Sequence, residues 1–96
     1  MREKLLEQKL VKAVKAAGGI APKFLSPGLA GMPDRLVLLP GGKMAFVEVK
    51  GYGIKPRPLQ LKRHQTLRRL GFKVYVLDEQ RQIQQIISGI KGGGAQ

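Results

Sequence analysis

The most informative segment of the sequence is Lys43-Met44-Ala45-Phe46-Val47-Glu48-Val49-Lys50. It is apolar and rich in β-branched residues, which predicts a strand. Side chains alternate between the two faces of a strand, so Glu48 and Lys50 point to one face while Val47 and Val49 point to the other. We therefore expect one face of this strand to belong to the core and the other to carry polar chemistry.

A second strand is predicted directly before this one, from Arg35 to Leu39. The connection Pro40-Gly41-Gly42 is short and glycine-rich, which is typical of a hairpin. Asp34, after Pro33, would then lie beside the strand that carries Glu48. Asp34 alone is more typical of a turn, because aspartate bonds its own backbone there, but Glu48 and Lys50 after it favour a site residue. An exposed charge pattern would explain Glu48 and Lys50, but the apolar flanks predict burial, where an unpaired carboxylate is costly.

The remaining elements follow from apolar periodicity and from glycines. The spacing of Leu6, Leu10, Val14 and Ala17 predicts a helix from Glu3 to Ala17, ended by Gly18-Gly19. Further along we predict a short strand from Ile20 to Leu25, a helix from Leu59 to Leu70 with Leu67 and Leu70 in the core, a strand from Phe72 to Leu77 and a helix from Glu79 to Ile90. The fold class is α/β, in the order α-β-β-β-α-β-α around a central mixed sheet. We expect one domain over residues 1–91 and a flexible tail over 92–96.

Two carboxylates next to a lysine form a pattern with a definite chemistry. Mg²⁺ prefers oxygen ligands and is usually held by one or two carboxylates together with phosphate oxygens and water. Asp34 and Glu48 supply such carboxylates, and the Lys50 ammonium is placed to orient a water or to stabilise a phosphate. The sequence thus predicts a metal and phosphate site.

These residues resemble a known nuclease family. Asp34 with Glu48-Val49-Lys50 resembles the PD-(D/E)xK motif in its E-x-K form, and Gly31-Met32-Pro33-Asp34 followed by Phe46 to Gly51 is similar to the VRR-NUC branch. Two further positions match: Glu7 stands eleven residues before Gly18, and Gln60 stands eleven residues before Gly71. The resemblance covers the chain from about Glu3 to Asp78.

The resemblance implies a restriction-endonuclease-like fold and an endonuclease that hydrolyses DNA phosphodiesters with Mg²⁺ or Mn²⁺. It implies that Asp34, Glu48 and the backbone carbonyl of Val49 bind the metal, with Glu7 as a further acidic ligand. Lys50 would position or activate the attacking water, and Gln60 would support the site. It also implies a phage or bacterial enzyme that resembles Holliday-junction resolvases, which cut branched DNA as homodimers.

The charge of the chain points to a polyanion as partner. Lys and Arg number 18 against 6 acidic residues, a formal charge of +12, so phosphate neutralisation would supply affinity that falls with salt. The resemblance adds Lys23 and Ser26 as phosphate contacts, with an ordinary loop as the alternative. We expect Lys55 and Arg57, in a basic loop, to contact DNA. The following helix is made basic by Lys62, Arg63, Arg68 and Arg69, and we expect some of these to contact DNA as well. A solvated helix face is the other interpretation of that last group.

Other features narrow the function classes. The chain has no cysteine and a single histidine, His64, which excludes disulfides and a histidine metal cluster and fits a reducing cytoplasm. No apolar run is long enough to cross a membrane. The alternatives from other classes are a catalytically inactive nucleic-acid-binding module and a basic ribosome-associated protein.

The last predicted helix has an apolar face that either supports a homodimer or covers the chain's own sheet. The face is formed by Ile83, Ile86, Ile87 and Ile90.

Overall fold

The fold is a mixed three-stranded sheet with three helices, seen in a computed structural model that describes residues 1–92. The elements, in chain order, are α1 (Glu3–Ala16), β1 (Arg35–Leu39), β2 (Lys43–Val49), α2 (Pro58–Arg69), β3 (Val74–Leu77) and α3 (Gln82–Gly92). The strand order is β1-β2-β3, with β1 antiparallel and β3 parallel to β2. The predicted α/β class and mixed sheet are confirmed.

The segment predicted as a first strand is reduced to two bridges on the edge of β1. Ile20 bridges Leu38 and Lys23 bridges Arg35, both antiparallel. Between them Leu36 N–H donates to the Pro22 carbonyl. Proline has no N–H to return a bond, so the ladder is interrupted and no continuous strand forms.

The β1–β2 hairpin fixes which residues face each other at the site. Gly41 and Gly42 both have positive φ, 85° and 73°, a conformation that other residues adopt reluctantly. Arg35 is paired with Val47, so Asp34, one residue earlier, lies opposite Glu48. The glycine turn and its register therefore place the two carboxylates at neighbouring positions.

The sheet has a different core on each face. Val47 and Val49 join the larger core with α1 and α3, which includes Leu6, Leu10 and Leu77. On the other face Phe46 packs with Leu67 of α2 and Val74 of β3. Glu48 alternates with Val47 and Val49 and so lies on the α2 side, as the alternation predicts. That face is not polar throughout, because Phe46 packs in a core there.

The isoleucine face of α3 lies inside the chain's own core. Ile83, Ile86, Ile87 and Ile90 are at most 5% exposed, because α3 packs directly on β2 and β3. The surface that was expected to support a homodimer is therefore already covered, which is the alternative stated from the sequence.

Two smaller expectations are wrong. Leu70 is 68% exposed rather than in the core, because α2 ends at Arg69 and Leu70 is its C-cap. Gly92 belongs to α3 rather than to the tail; the rest of the predicted flexible tail, 93–96, lies outside the described residues. Over residues 1–92 no helix combines the length and apolarity needed to span a membrane.

Candidate active site

The centre of the site is the pair of carboxylates set by the β1–β2 register. Asp34, partly buried, precedes β1, and its Oδ2 accepts a hydrogen bond of 3.0 Å from the backbone N–H of Val49. Glu48 is completely buried. Asp34 therefore closes the open end of the strand pair and turns its carboxyl group toward that of Glu48.

Besides Asp34, three side chains contact the Glu48 carboxyl group. Gln60 Nε2 donates to Oε2 at 3.1 Å, and His64 Nε2 lies 3.3 Å from Oε1. Lys50 Nζ lies 3.8 Å from Oε2. Gln60 and His64 are four residues apart on α2 and so share one helix face. Each oxygen of Glu48 thus has one contact from α2, while Lys50 approaches from the residue directly after the end of β2.

The surroundings shift the pKa values of the two buried groups. Burial raises the pKa of Glu48 to about 8, and the charge of Asp34 and a hydrogen bond with it add to the rise, against the opposing charge of Lys50. Burial also lowers the pKa of His64, helped by the positive charges of Arg68 and Lys50. Without a cation, Glu48 is therefore mostly protonated at neutral pH.

Glu7 is not brought to the carboxylate pair. Its Oε2 accepts a bond of 2.8 Å from Arg35 Nε, and Arg35 Nη1 donates to the Ala21 carbonyl at 2.7 Å. Arg35 is the partner of Val47 and so faces α1, whereas Glu48 faces α2. Within residues 1–92 no three acidic, histidine or cysteine side chains are grouped closely enough to hold a metal. The role of Glu7 as a ligand stays a prediction, one that requires its release from Arg35.

Gln60 is placed as the sequence predicted and is held from both ends. Its Oε1 accepts a 2.8 Å bond from the Arg57 backbone N–H, which caps the start of α2, while its Nε2 binds Glu48. Gln60 is therefore fixed by the helix start and cannot rotate freely away from the carboxylate.

The residues predicted to contact DNA differ in their availability. Lys23, Lys55, Arg57 and Lys62 are exposed, and Ser26 is partly exposed. Arg63 instead donates from Nε to the Ala30 carbonyl at 2.8 Å. A Cβ on Gly31, which has φ +85°, would lie 2.9 Å from Leu59. Arg63 and Gly31 thus hold the loop before Asp34 against α2.

His64 is the functional candidate that sequence reasoning missed. As the single histidine of the sequence it excludes a histidine metal cluster, and no other role is predicted for it. The available signal was its spacing of four residues from Gln60 in a predicted helix, which places both on one face. Its burial and its contact with Glu48 depend on how α2 docks on the sheet, which no local pattern reveals.

The fold has a mixed sheet flanked by helices, on which Asp34 and Glu48 are paired and Lys50 follows two residues later. This arrangement defines a nuclease-type domain. No family model matches the sequence. A protein of Acyrthosiphon pisum secondary endosymbiont phage 1, named "Putative nuclease p44", is 55% identical over 80 residues, which are 83% of this chain and 86% of that protein. A solved structure described as "VRR_NUC domain" matches with a TM-score of 0.85 and 35% identity, covering 92% of this chain and 96% of that one. The chain belongs to the VRR-NUC family.

Proposed function

We propose that this chain is an Mg²⁺- or Mn²⁺-dependent endonuclease that hydrolyses phosphodiester bonds of DNA. The observation that carries the proposal is the fully buried Glu48 carboxyl group, next to Asp34 and 3.8 Å from Lys50. A carboxyl group with a raised pKa, placed beside a second carboxylate, is a common feature of functional sites. The names of the phage relative and of the matched structure agree with a nuclease.

The donor set fits a hard divalent cation. The oxygens come from Asp34, Glu48 and the carbonyl of Val49, which faces Asp34 because the N–H and C=O of one strand residue point to the same side. Mg²⁺ and Mn²⁺ suit such oxygen ligands, and with few protein ligands the remaining positions go to water and phosphate oxygens. When bound there, the ion would neutralise charge on the phosphate and lower the pKa of a bound water.

Lys50 supplies the positive charge that the protein itself adds to the site. Its ammonium has three donors and is only partly satisfied by Glu48 at 3.8 Å. It can therefore also donate to the attacking water or to a phosphate oxygen, which favours the reaction as negative charge grows. The water attacks phosphorus, and the bond from phosphorus to the leaving oxygen breaks.

The test compares DNA cleavage and DNA binding by single-substitution variants that keep the parental fold. Asp34→Ala, Glu48→Ala and Lys50→Ala should each abolish cleavage and leave most of the DNA affinity, because affinity comes mainly from the basic residues. Lys12→Ala, an exposed lysine of α1, is the matched control and should cut at the parental rate. Parental activity in the Lys50→Ala protein would remove Lys50 from the mechanism.

The metal requirement is tested separately. A chelator should abolish cleavage, and Mg²⁺ or Mn²⁺ should restore it. Ca²⁺ should support DNA binding but not cleavage, because it takes more oxygen ligands at longer distances and holds the water differently. Undiminished hydrolysis in excess chelator would overturn the metal-dependent assignment.

The family resemblance extends the proposal to branched DNA, with four-way junctions cut faster than linear duplex. Paired cleavage would require a homodimer, but the isoleucines of α3 are buried in the chain's own core, so the contact would need a different surface. Cleavage rates on labelled junction and duplex DNA test the preference, and light scattering with and without DNA tests the dimer. A monomer mass in both cases would remove the dimer, and equal rates would remove the preference.

A further inference from the structure

His64 is a polar residue that is fully buried beside Glu48, although burial of an unpaired polar atom is unfavourable. Its side chain is 1% exposed, and its Nδ1 is buried with no hydrogen-bond partner in the part of the chain that the structure describes. Leaving such an atom unpaired is costly, and an apolar side chain would fill the same space on α2 without that cost. Within residues 1–92 the one polar contact that the imidazole makes is with Glu48, at 3.3 Å.

Metal binding requires an ionised Glu48 carboxylate, and this determines which group donates the hydrogen bond between His64 and Glu48. An ionised carboxylate only accepts hydrogen bonds, so His64 must carry its proton on Nε2 and donate it to Oε1 of Glu48. Nδ1 is then a bare acceptor, which agrees with its lack of a donor partner. Gln60 donates to the other oxygen at 3.1 Å, so the carboxylate is held by two N–H groups from one rigid helix.

We infer that His64 is a positioning residue: together with Gln60 it fixes the plane of the Glu48 carboxylate for a divalent cation. The inference rests on the proposed function. A carboxylate offers about four lone-pair sites, so two donors from α2 leave the remaining ones available. Groups that orient a metal ligand typically change metal affinity by about 10- to 100-fold when they are removed. His64 acts through Glu48 and needs no contact with DNA.

The first experiment measures Mn²⁺ binding without DNA, by electron paramagnetic resonance of the free ion at pH 8. His64→Met, similar in size but without a donor, should bind Mn²⁺ about tenfold more weakly than the parental protein. His64→Gln, whose amide N–H can reach the same carboxylate oxygen, should restore most of the affinity. Glu48→Gln should eliminate binding at this site, and Lys12→Ala should leave it unchanged.

The outcomes separate the inference from the proposed function. If His64→Met binds Mn²⁺ as tightly as the parental protein while Glu48→Gln does not bind, the role of His64 is overturned and the metal site stands. If the parental protein and Glu48→Gln bind equally, the metal site itself fails. Thermal melting of each variant detects a loss of folding that would mimic a loss of affinity.

A second measurement needs no substitution. His64 is the single histidine of the sequence, so its imidazole signals in a long-range proton–nitrogen NMR spectrum require no assignment by mutation. With saturating Mg²⁺ we expect the tautomer protonated on Nε2, hydrogen-bonded to Glu48. A tautomer protonated on Nδ1, with Nε2 bare, would exclude donation to the carboxylate and overturn the inference even if the methionine variant does not fold.

Discussion

Replacing Glu48 by glutamine should stabilise the metal-free protein while destroying the proposed metal site. The two side chains have the same shape, so the buried volume is kept. The amide oxygen can still accept from Gln60, and the amide N–H can donate to His64 once the imidazole moves its proton to Nδ1. The substitution thus removes the cost of a buried negative charge without creating a cavity.

The magnitude follows from the raised pKa of Glu48, about 8 against an ordinary 4.5. Between these values the folded chain keeps a proton that the unfolded chain has lost, so the free energy of unfolding falls as pH rises through the window. A glutamine at position 48 does not ionise, so the free energy of unfolding of the variant does not fall in this way. The variant should gain little near pH 4.5, about 3 kcal/mol at pH 7 and on the order of 5 kcal/mol above pH 8.

The assay is thermal melting in excess chelator at several pH values from 5 to 8. At about 4–8 °C per kcal/mol for a domain of this size, the Glu48→Gln melting temperature should exceed the parental one by at least ~10 °C at pH 8, and the difference should shrink toward pH 5. Glu79→Gln, whose side chain pairs with Arg81 outside this site, is the matched control substitution. A gap that does not change with pH, or a variant less stable at pH 8, would refute the reasoning.

Three further predictions follow from other contacts. Mn²⁺ binding near pH 7 should release about one proton, because Glu48 must ionise, and the affinity should weaken by up to about tenfold per pH unit on acidification. Calorimetry in two buffers of different ionisation enthalpy measures the number of protons released, and no proton release would contradict the prediction. Gly19→Ala should cost several kcal/mol in urea melts, since its Cβ would clash with the Leu38 carbonyl oxygen. Gly28→Ala, with nothing in residues 1–92 within 4 Å of the added Cβ, should be near neutral. Lys62→Ala on α2 should lower the salt dependence of DNA binding by about 0.9 in slope, and Lys91→Ala on α3 should not; equal slopes would exclude α2 as the DNA-facing surface.

The sequence predicted the parts of the fold that depend on local periodicity. The helix of α1, the bounds of β1 and the alternation along β2 follow from spacing of apolar residues, and alternation alone places Glu48 and Lys50 on the face opposite Val47. The turn at Gly41-Gly42 then sets the register. These relations need no tertiary information, because strand geometry and turn length fix them.

What the sequence could not supply depends on how elements dock. The role of Glu7 as a metal ligand stays a prediction, but the sequence did not reveal that Glu7 binds Arg35, which points to the α1 face. The periodicity of α3 predicted an apolar face but not what covers it. In each case the partner is far away in the sequence, and the contact forms only after the helices pack on the sheet.

Helix α2 contributes both to the positioning of the two carboxylates and to the surface proposed to bind DNA. Gln60 accepts from the Arg57 backbone and donates to Glu48, so the start of the helix and the orientation of the carboxylate are fixed together. Arg63 on the same helix binds the Ala30 carbonyl and so holds the loop that leads to Asp34. Both carboxylates are therefore positioned from one rigid element, whose exposed side carries Lys62 and Arg69. A DNA strand held on that side would have its phosphates in a fixed relation to the site, because the element that binds them is the one that orients Glu48.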